Sequence, residues 1–334
     1  MKIGILAITE GGKRLAAELA QKMPAALVLP QEGGVAHTLA KHWRELDGFV
    51  CIMATGIVVR GIAPLLQDKT SDPCVVVLDE KGRYAVSLLS GHLGGGNSLA
   101  RQVAAILGGE PVITTASDTL GLAPLDLWAK GQDLACESKQ GLTQASAKLV
   151  NTGSLRIFSE VAVASLPQGL VVVAGPEQAD IVVTPRLGNY GNAVVFRPKN
   201  LVVGVGCNRG VPVAELRQAC EELFAEQNLS QLSIRNLASI DLKQDEVGLL
   251  AFAHEQGWRL EFFSKEELNR VEDVAVSEAA LRNVGAIGVA EPAALLSAQS
   301  NDLLVGKKKW HNVTMAVARA NCTLSEQDRA RQDI

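Results

Sequence analysis

Apolar residues in this chain gather in short Val/Ile/Leu runs that alternate with stretches where they recur every three or four positions. The first pattern suits a strand buried on both faces; the second lays one apolar stripe along a helix. Up to residue 116 the order is KIGILAI and a helix near 12–23, ALVLP and a helix near 36–46, then FVCIMAT and a helix near 57–66. CVVVLDEKGRYAVSLLSG then reads as two strands reversing across residues 79–82, an antiparallel pair in or beside the sheet. Glycines 94–96 open a helix near 97–107, and PVITTA supplies a further strand. This rhythm predicts an α/β domain with a largely parallel sheet covered on both faces.

Between residues 117 and 197 the periodicity weakens, with strands predicted at LRIFS, GLVVVAG and ADIVVTP between Gly and Pro punctuation. From Leu201 the alternation resumes: LVVGVG, a helix near 212–226, a strand in SIRNLASI, a helix near 244–256, RLEFF, then helices from Lys265, near 278–284 and near 292–298. Ser264 and Glu267 have capping-box spacing, and Pro292 suits a first helical turn. The expected fold class is therefore α/β, with two α/β domains of largely parallel sheets over 1–118 and 199–320 joined by a small middle region over 119–198. The polar tail 321–334 has no periodicity and is expected to be loosely ordered.

Composition narrows the function classes. The 334 residues are 47% hydrophobic and 20% charged with a net charge of −4, so no basic stripe awaits nucleic acid or anionic lipid. Six cysteines show neither CxxC nor a Cys/His cluster, which argues against a disulfide scaffold or structural zinc and fits a reducing cytoplasm. The apolar start breaks at Thr9, Glu10 and two glycines, unlike a cleavable signal, and no run approaches a membrane span. Four Trp and two Tyr mark no interface, so the oligomeric state stays open.

Three segments carry candidate chemistry. In ATGIVVRGIAP a buried strand turns into a helix: Thr55 suits a cap, Gly56 admits a ligand to the backbone, and Arg60 is one turn in, suited to clamp a carboxylate. A capped helix with Arg60 merely solvated is the plainer alternative. In SLLSGHLGGGN the residues Ser90, Gly91, His92, Gly94, Gly95, Gly96 and Asn97 crowd one turn; so many glycines cost stability unless backbone amides approach something closely. The spacing is neither a P-loop nor GxGxxG. His92 is suited to general acid–base work, against a packed or solvated alternative. Lys69, Asp72, Asp79, Glu80 and Arg83 are expected at a common crevice at the strand ends, with turn roles as the alternative for Asp79 and Glu80. Asp118, in TTASD, either binds polar ligand groups or forms a turn.

The third segment, GVGCNRG, has Rossmann context but the wrong spacing for a dinucleotide fingerprint, and no acidic residue follows at the required distance. Gly206, Arg209 and Gly210 are candidates to contact an anionic ligand; Cys207 near a helix start is a candidate for a lowered pKa, although no histidine partner stands in its motif. Glu291 precedes Pro292 at a helix start, where it either touches ligand or caps N–H groups.

Taken together, TGIVVRGIAP, DPCVVVLDEKGRYAVSLLSGHLGGGN, PVITTASD, GVGCNRG and GVAEPAALL resemble the CbiG family of cobalamin biosynthesis, the cobalt-precorrin-5A hydrolases, in order and spacing from about residue 1 to 318. The resemblance implies two α/β domains around a variable middle, the second of CobE type. It implies δ-lactone opening and acetaldehyde release on a corrinoid of the anaerobic vitamin B12 route. It also implies no protein-borne metal or organic cofactor, cobalt arriving inside the substrate, and transient contacts with neighbouring pathway enzymes. It assigns no catalytic residue. On residue chemistry, His92 is the expected base and the amides of Gly94, Gly95 and Gly96 the expected oxyanion donors. The rival readings are a noncatalytic corrinoid carrier and an NAD(P)-dependent oxidoreductase using GVGCNRG.

Overall fold

The computed structural model describes residues 1–326 apart from 69, 70, 93, 273 and 275. Lys69, Leu93 and residues 327–334 of the tail thus lie outside the described residues. The chain divides into two compact units, residues 1–127 and 128–334.

In the first unit the predicted rhythm becomes β1 (Ile3–Ala7), α1 (Glu10–Lys22), β2 (Ala26–Val28), α2 (Val35–His42), β3 (Gly48–Ile52), α3 (Thr55–Ile62), β4 (Cys74–Leu78), β5 (Tyr84–Leu89), α4 (Gly96–Leu107), β6 (Glu110–Val112) and α5 (Ala116–Thr119). One six-stranded sheet results, in the order β2-β1-β3-β4-β5-β6. The strands β1 to β4 are parallel, β5 runs back antiparallel to β4, and β6 follows β5. Both faces are covered. Alternate strand residues such as Ile5, Val50 and Val76 pack with α1 and α4, while Leu6, Phe49, Cys51 and Val77 pack with α2 and α3. That double burial is why the strands read as unbroken apolar runs.

The second unit opens with α6 (Leu125–Gly131), whose last residues belong to it, and β7 (Leu134–Cys136), α7 (Lys139–Thr152), β8 (Leu155–Ser159), β9 (Ala162–Val163), β10 (Leu170–Val172), β11 (Ile181–Val183) and β12 (Val194–Pro198). The middle region thus has its own sheet, ordered β10-β8-β11-β12-β7. Only β7 is antiparallel in it. The sequence pattern locates β8, β10 and β11 but misses α7, a helix with polar flanks that buries little beyond Ala145 and Leu149.

A second sheet is built with β13 (Leu201–Cys207), α8 (Val213–Glu226), β14 (Ile234–Ile240), α9 (Val247–Gln256), β15 (Arg259–Phe263), α10 (Lys265–Leu268), α11 (Glu278–Val284), α12 (Ala290–Ala298), β16 (Leu303–Lys309) and β17 (Val313–Arg319), and β18 (Thr323–Leu324) follows in the chain outside that sheet. Its order is β15-β14-β13-β17-β16. The expected capping box forms: Ser264 Oγ accepts from the Glu267 amide, and the Glu267 carboxylate accepts from the Ser264 amide. No strand is expected from periodicity beyond residue 298, yet β16 and β17 pair antiparallel there, β17 lying beside β13. Gly204 lets α12 close on β13, for a Cβ there would stand 1.8 Å from the Ala290 carbonyl oxygen. The start of the predicted loose tail is ordered instead. Strand β18 pairs in parallel with β9, and Trp128 Nε1 donates to the Ser325 carbonyl at 3.0 Å.

Candidate functional site

The first sheet reverses strand order between β1 and β3, and a cavity of about 480 Å³ opens at the carboxyl ends there, where open α/β sheets hold ligands. Ile8, Thr9, Met53, Thr55, Asp79 and Glu80 are among its lining residues. Helix α3 starts here, one residue earlier than a Thr55 cap requires. Ala54 takes the extended N-cap conformation and supplies no side-chain bond, so Thr55 is the first helical residue. Arg60 lies over Gly56, where an added Cβ would sit 3.4 Å from its guanidinium. The three predicted residues of this segment therefore meet at one helix start. Asp79 has the turn role, accepting from the amides of Lys81 at 3.2 Å and Tyr84 at 2.8 Å.

The common crevice does not form. Because β5 runs back against β4, the loop that follows it stands at the opposite end of the sheet, where Ser90 Oγ donates to the Asp72 carbonyl at 3.0 Å. Asp72 therefore shares an end with Ser90, while Asp79 and Glu80 stay with Thr55. The two glycine-bearing segments of this unit are two separate sites.

At the Ser90 end, β5 and β6 are parallel and deliver His92 and Asp118 to one cluster. His92 Nε2 lies 3.0 Å from Asp118 Oδ2 and 3.2 Å from Ser117 Oγ. The same carboxylate oxygen accepts from Thr115 Oγ1 at 2.6 Å and Asn97 Nδ2 at 2.9 Å, while Oδ1 accepts from Arg101 at 2.6 Å. Burial alone would favour the neutral acid, but the bonds from Thr115, Arg101 and His92 and the charge of Arg101 hold the Asp118 carboxyl below the usual range. Asp118 is thus a carboxylate engaged by His92, Asn97, Thr115 and Arg101. Asn97 is buried and braces Asp118, and its Oδ1 lies 2.7 Å from where a Gly91 Cβ would be. That contact explains the glycine at 91.

The glycine turn is closed by its own backbone. Ser90 and Gly95 have φ of 52° and 83°, which glycine adopts freely and serine at a cost. The Gly95, Gly96 and Asn97 amides donate to the carbonyls of His92, Ser90 and Gly91. Gly95 and Gly96 are therefore not free as oxyanion donors, contrary to expectation: the turn uses their N–H groups to enter α4. The Gly94 and Ser98 amides have no partner among the described residues.

In the second unit a cavity of about 620 Å³ lies at the carboxyl ends of β13 and β14. Gly206, Cys207 and Arg209 are in its lining, beside Lys243, Lys307, Lys309, Trp310 and His311. Burial pushes the Cys207 thiol up to about 11, countering the lowered pKa expected near a helix start. Arg209 is paired with Asp245 and donates to the Leu242 carbonyl. The Asn208 amide donates to the Asn312 carbonyl, and the Gly210 amide to Glu246 Oε1 at 2.9 Å. A pyrophosphate would meet the Glu246 carboxylate where a dinucleotide loop offers free amides, so this turn does not fit NAD(P). Glu291 neither caps its own helix nor stands among the cavity residues; its Oε1 accepts from the Lys307 amide at 2.7 Å. Lys307, Lys309 and His311 are not among the residues expected from sequence, although the run GKKKWH is a concentration of charge that could have marked them.

Among the described residues no group of three or more His, Cys, Asp or Glu side chains is placed to hold a metal, and no helix is long and apolar enough to cross a membrane.

Fold and site define an α/β protein with polar clusters at the ends of its strands, the arrangement in which such sheets handle small molecules. Residues 37–118 match the family model Cobalamin synthesis G N-terminal, and residues 201–318 match Cobalamin synthesis G C-terminus. The chain belongs to this cobalamin synthesis G (CbiG) family. The cobalt-precorrin-5A hydrolase of Priestia megaterium is 39% identical over 306 residues, covering 86% of this chain and 82% of its own. That of Salmonella typhimurium is 30% identical, covering 95% and 97%. Protein CobE of a Sinorhizobium species is 30% identical over 133 residues, 39% of this chain and 85% of its own.

Proposed function

We propose that this protein is a cobalt-precorrin-5A hydrolase, an enzyme that opens the ring δ-lactone of its corrinoid substrate and releases acetaldehyde. The observation that carries the reading is likeness along almost the whole chain to two curated hydrolases of that name. The His92–Asp118 pair supports a water-activating site in the first unit. In lactone opening His92, through the ring nitrogen turned away from Asp118, takes a proton from water as it adds to the ester carbonyl. The Gly94 and Ser98 amides at the start of α4 are the donors left for the oxyanion. The ring oxygen departs with the two-carbon unit as a hydroxyl. Loss of that hydroxyl proton then breaks the carbon–carbon bond, the electron pair passes into the macrocycle, and acetaldehyde leaves. Cobalt enters within the substrate, and the chain contributes no metal or organic cofactor to these steps.

The test is acetaldehyde release from anaerobically prepared cobalt-precorrin-5A, with the corrinoid mass read in the same tube. Wild type turns over repeatedly, and His92→Gln lowers kcat by about 10²- to 10⁴-fold, the usual worth of a general base. Stoichiometric binding without acetaldehyde would replace this reading with that of a carrier, and full turnover by His92→Gln would remove His92 from the mechanism.

A further inference from the structure

Strand β16 carries an extra residue between Val305 and Lys308, since these pair with Val317 and Met315, two apart on β17. Such a bulge resets which side chains share a face. Val305 packs into the core beneath α8 and Lys308 pairs with Glu226 of α8, so both lie on that side. Lys307 and Lys309 are turned to the cavity that opens at Gly206 and Cys207. The bulged Lys307 amide has a fixed partner in Glu291, whose side chain is buried. Neither lysine has an ion-pair partner among the described residues, whereas Arg209 and Lys243 in the same wall are paired with Asp245 and Glu246. Val284, Val289 and Val313 give the cavity an apolar side.

We propose that this cavity is a polycarboxylate-binding site, in which Lys307 and Lys309 take two carboxylates on neighbouring side chains of a large ring and the valine wall takes the ring edge. Two residues apart on a strand, the lysines stand about 7 Å apart at their backbones, and their flexible stems adapt to side-chain acids on one ring. Phosphate is the poorer fit, because the Asn208 and Gly210 amides of the glycine turn are already engaged, the second by the Glu246 carboxylate. The identity of the ring as a corrinoid rests on the functional reading above; the carboxylate chemistry does not.

The experiment uses the full chain and two stable probes, cobyrinic acid with free carboxylates and cobinamide with its side chains amidated, followed by calorimetric titration at low and high salt. Wild type binds cobyrinic acid in preference to cobinamide, and more weakly at high salt. Lys307→Ala with Lys309→Ala weakens cobyrinic acid binding by about tenfold or more. Arginine at both positions retains it. Glu291→Gln weakens it less, because the bulge loses a charged acceptor and keeps a neutral one. Equal binding of both probes, wild-type affinity in the double alanine variant, or displacement by inorganic pyrophosphate at equal concentration would overturn the proposal. Selective, lysine-dependent binding by a protein that releases no acetaldehyde would leave this site standing and sink the hydrolase reading alone.

Discussion

A single side chain's chemistry here is set by what burial leaves it to bond with. Cys207 looks reactive from its place before a helix, yet it is inside a strand end, and burial raises its thiol to about 11. At pH 8 the thiolate is then on the order of one in a thousand, against about a quarter for an ordinary cysteine. Iodoacetamide should label Cys207 on the order of a hundredfold more slowly in the native protein than in guanidinium, read by peptide mass. Native labelling at the denatured rate would contradict that burial. The histidine in SGHLGGGN was legible as chemistry from composition alone. Its orienting carboxylate was legible only as a residue of interest, because a contact spanning 26 residues leaves no local trace.

Elements show the same division between local and distant causes. Asp180, just before β11, accepts from the Arg156 amide and guanidinium of β8 and from Lys148 of α7, tying helix to sheet. Burial would raise its carboxyl, but these bonds and the lysine charge hold it well below the usual range. A carboxylate depressed in the folded state adds stability above its unfolded pKa of about 3.9, and that stability disappears as pH falls through the folded value. Asp180→Asn should therefore be less stable than wild type at neutral pH and lose less on acidification below about pH 4, measured by urea unfolding across pH. Identical pH slopes would show that the cluster adds nothing. Strand β11 was readable because a doubly buried strand is a continuous apolar run, and β8 because its buried Leu155 and Ile157 alternate with the exposed Arg156. Helix α7 was not, since its buried stripe is thin, and β16 was hidden by its own GKKK.

At the scale of the molecule, each compact unit has its own apolar interior: two clusters flank the first sheet, and two more flank the sheet built on β13. A unit with its own core and internally satisfied sheet is able to fold alone. Fragments 1–127 and 128–334 should each unfold cooperatively with heat, followed by circular dichroism. A second fragment begun at residue 199 should be less stable, because it loses β9, the partner of β18, and Trp128, which donates to the Ser325 carbonyl. Equal stability of the two versions would show that the middle sheet gives the last one no support.

The sequence by itself determined the α/β class, the order of most strands and helices, and the segments where glycine, histidine and arginine gather, because apolar periodicity and turn chemistry are local properties. Tertiary structure decided which of those segments share a site. The antiparallel return of β5 carries His92 away from Thr55 and toward Asp118, and the bulge between Val305 and Lys308 of β16 turns Lys307 and Lys309 toward a cavity. Strand direction and register depend on pairing between distant residues, so the chemistry that they assemble exists only in the folded chain.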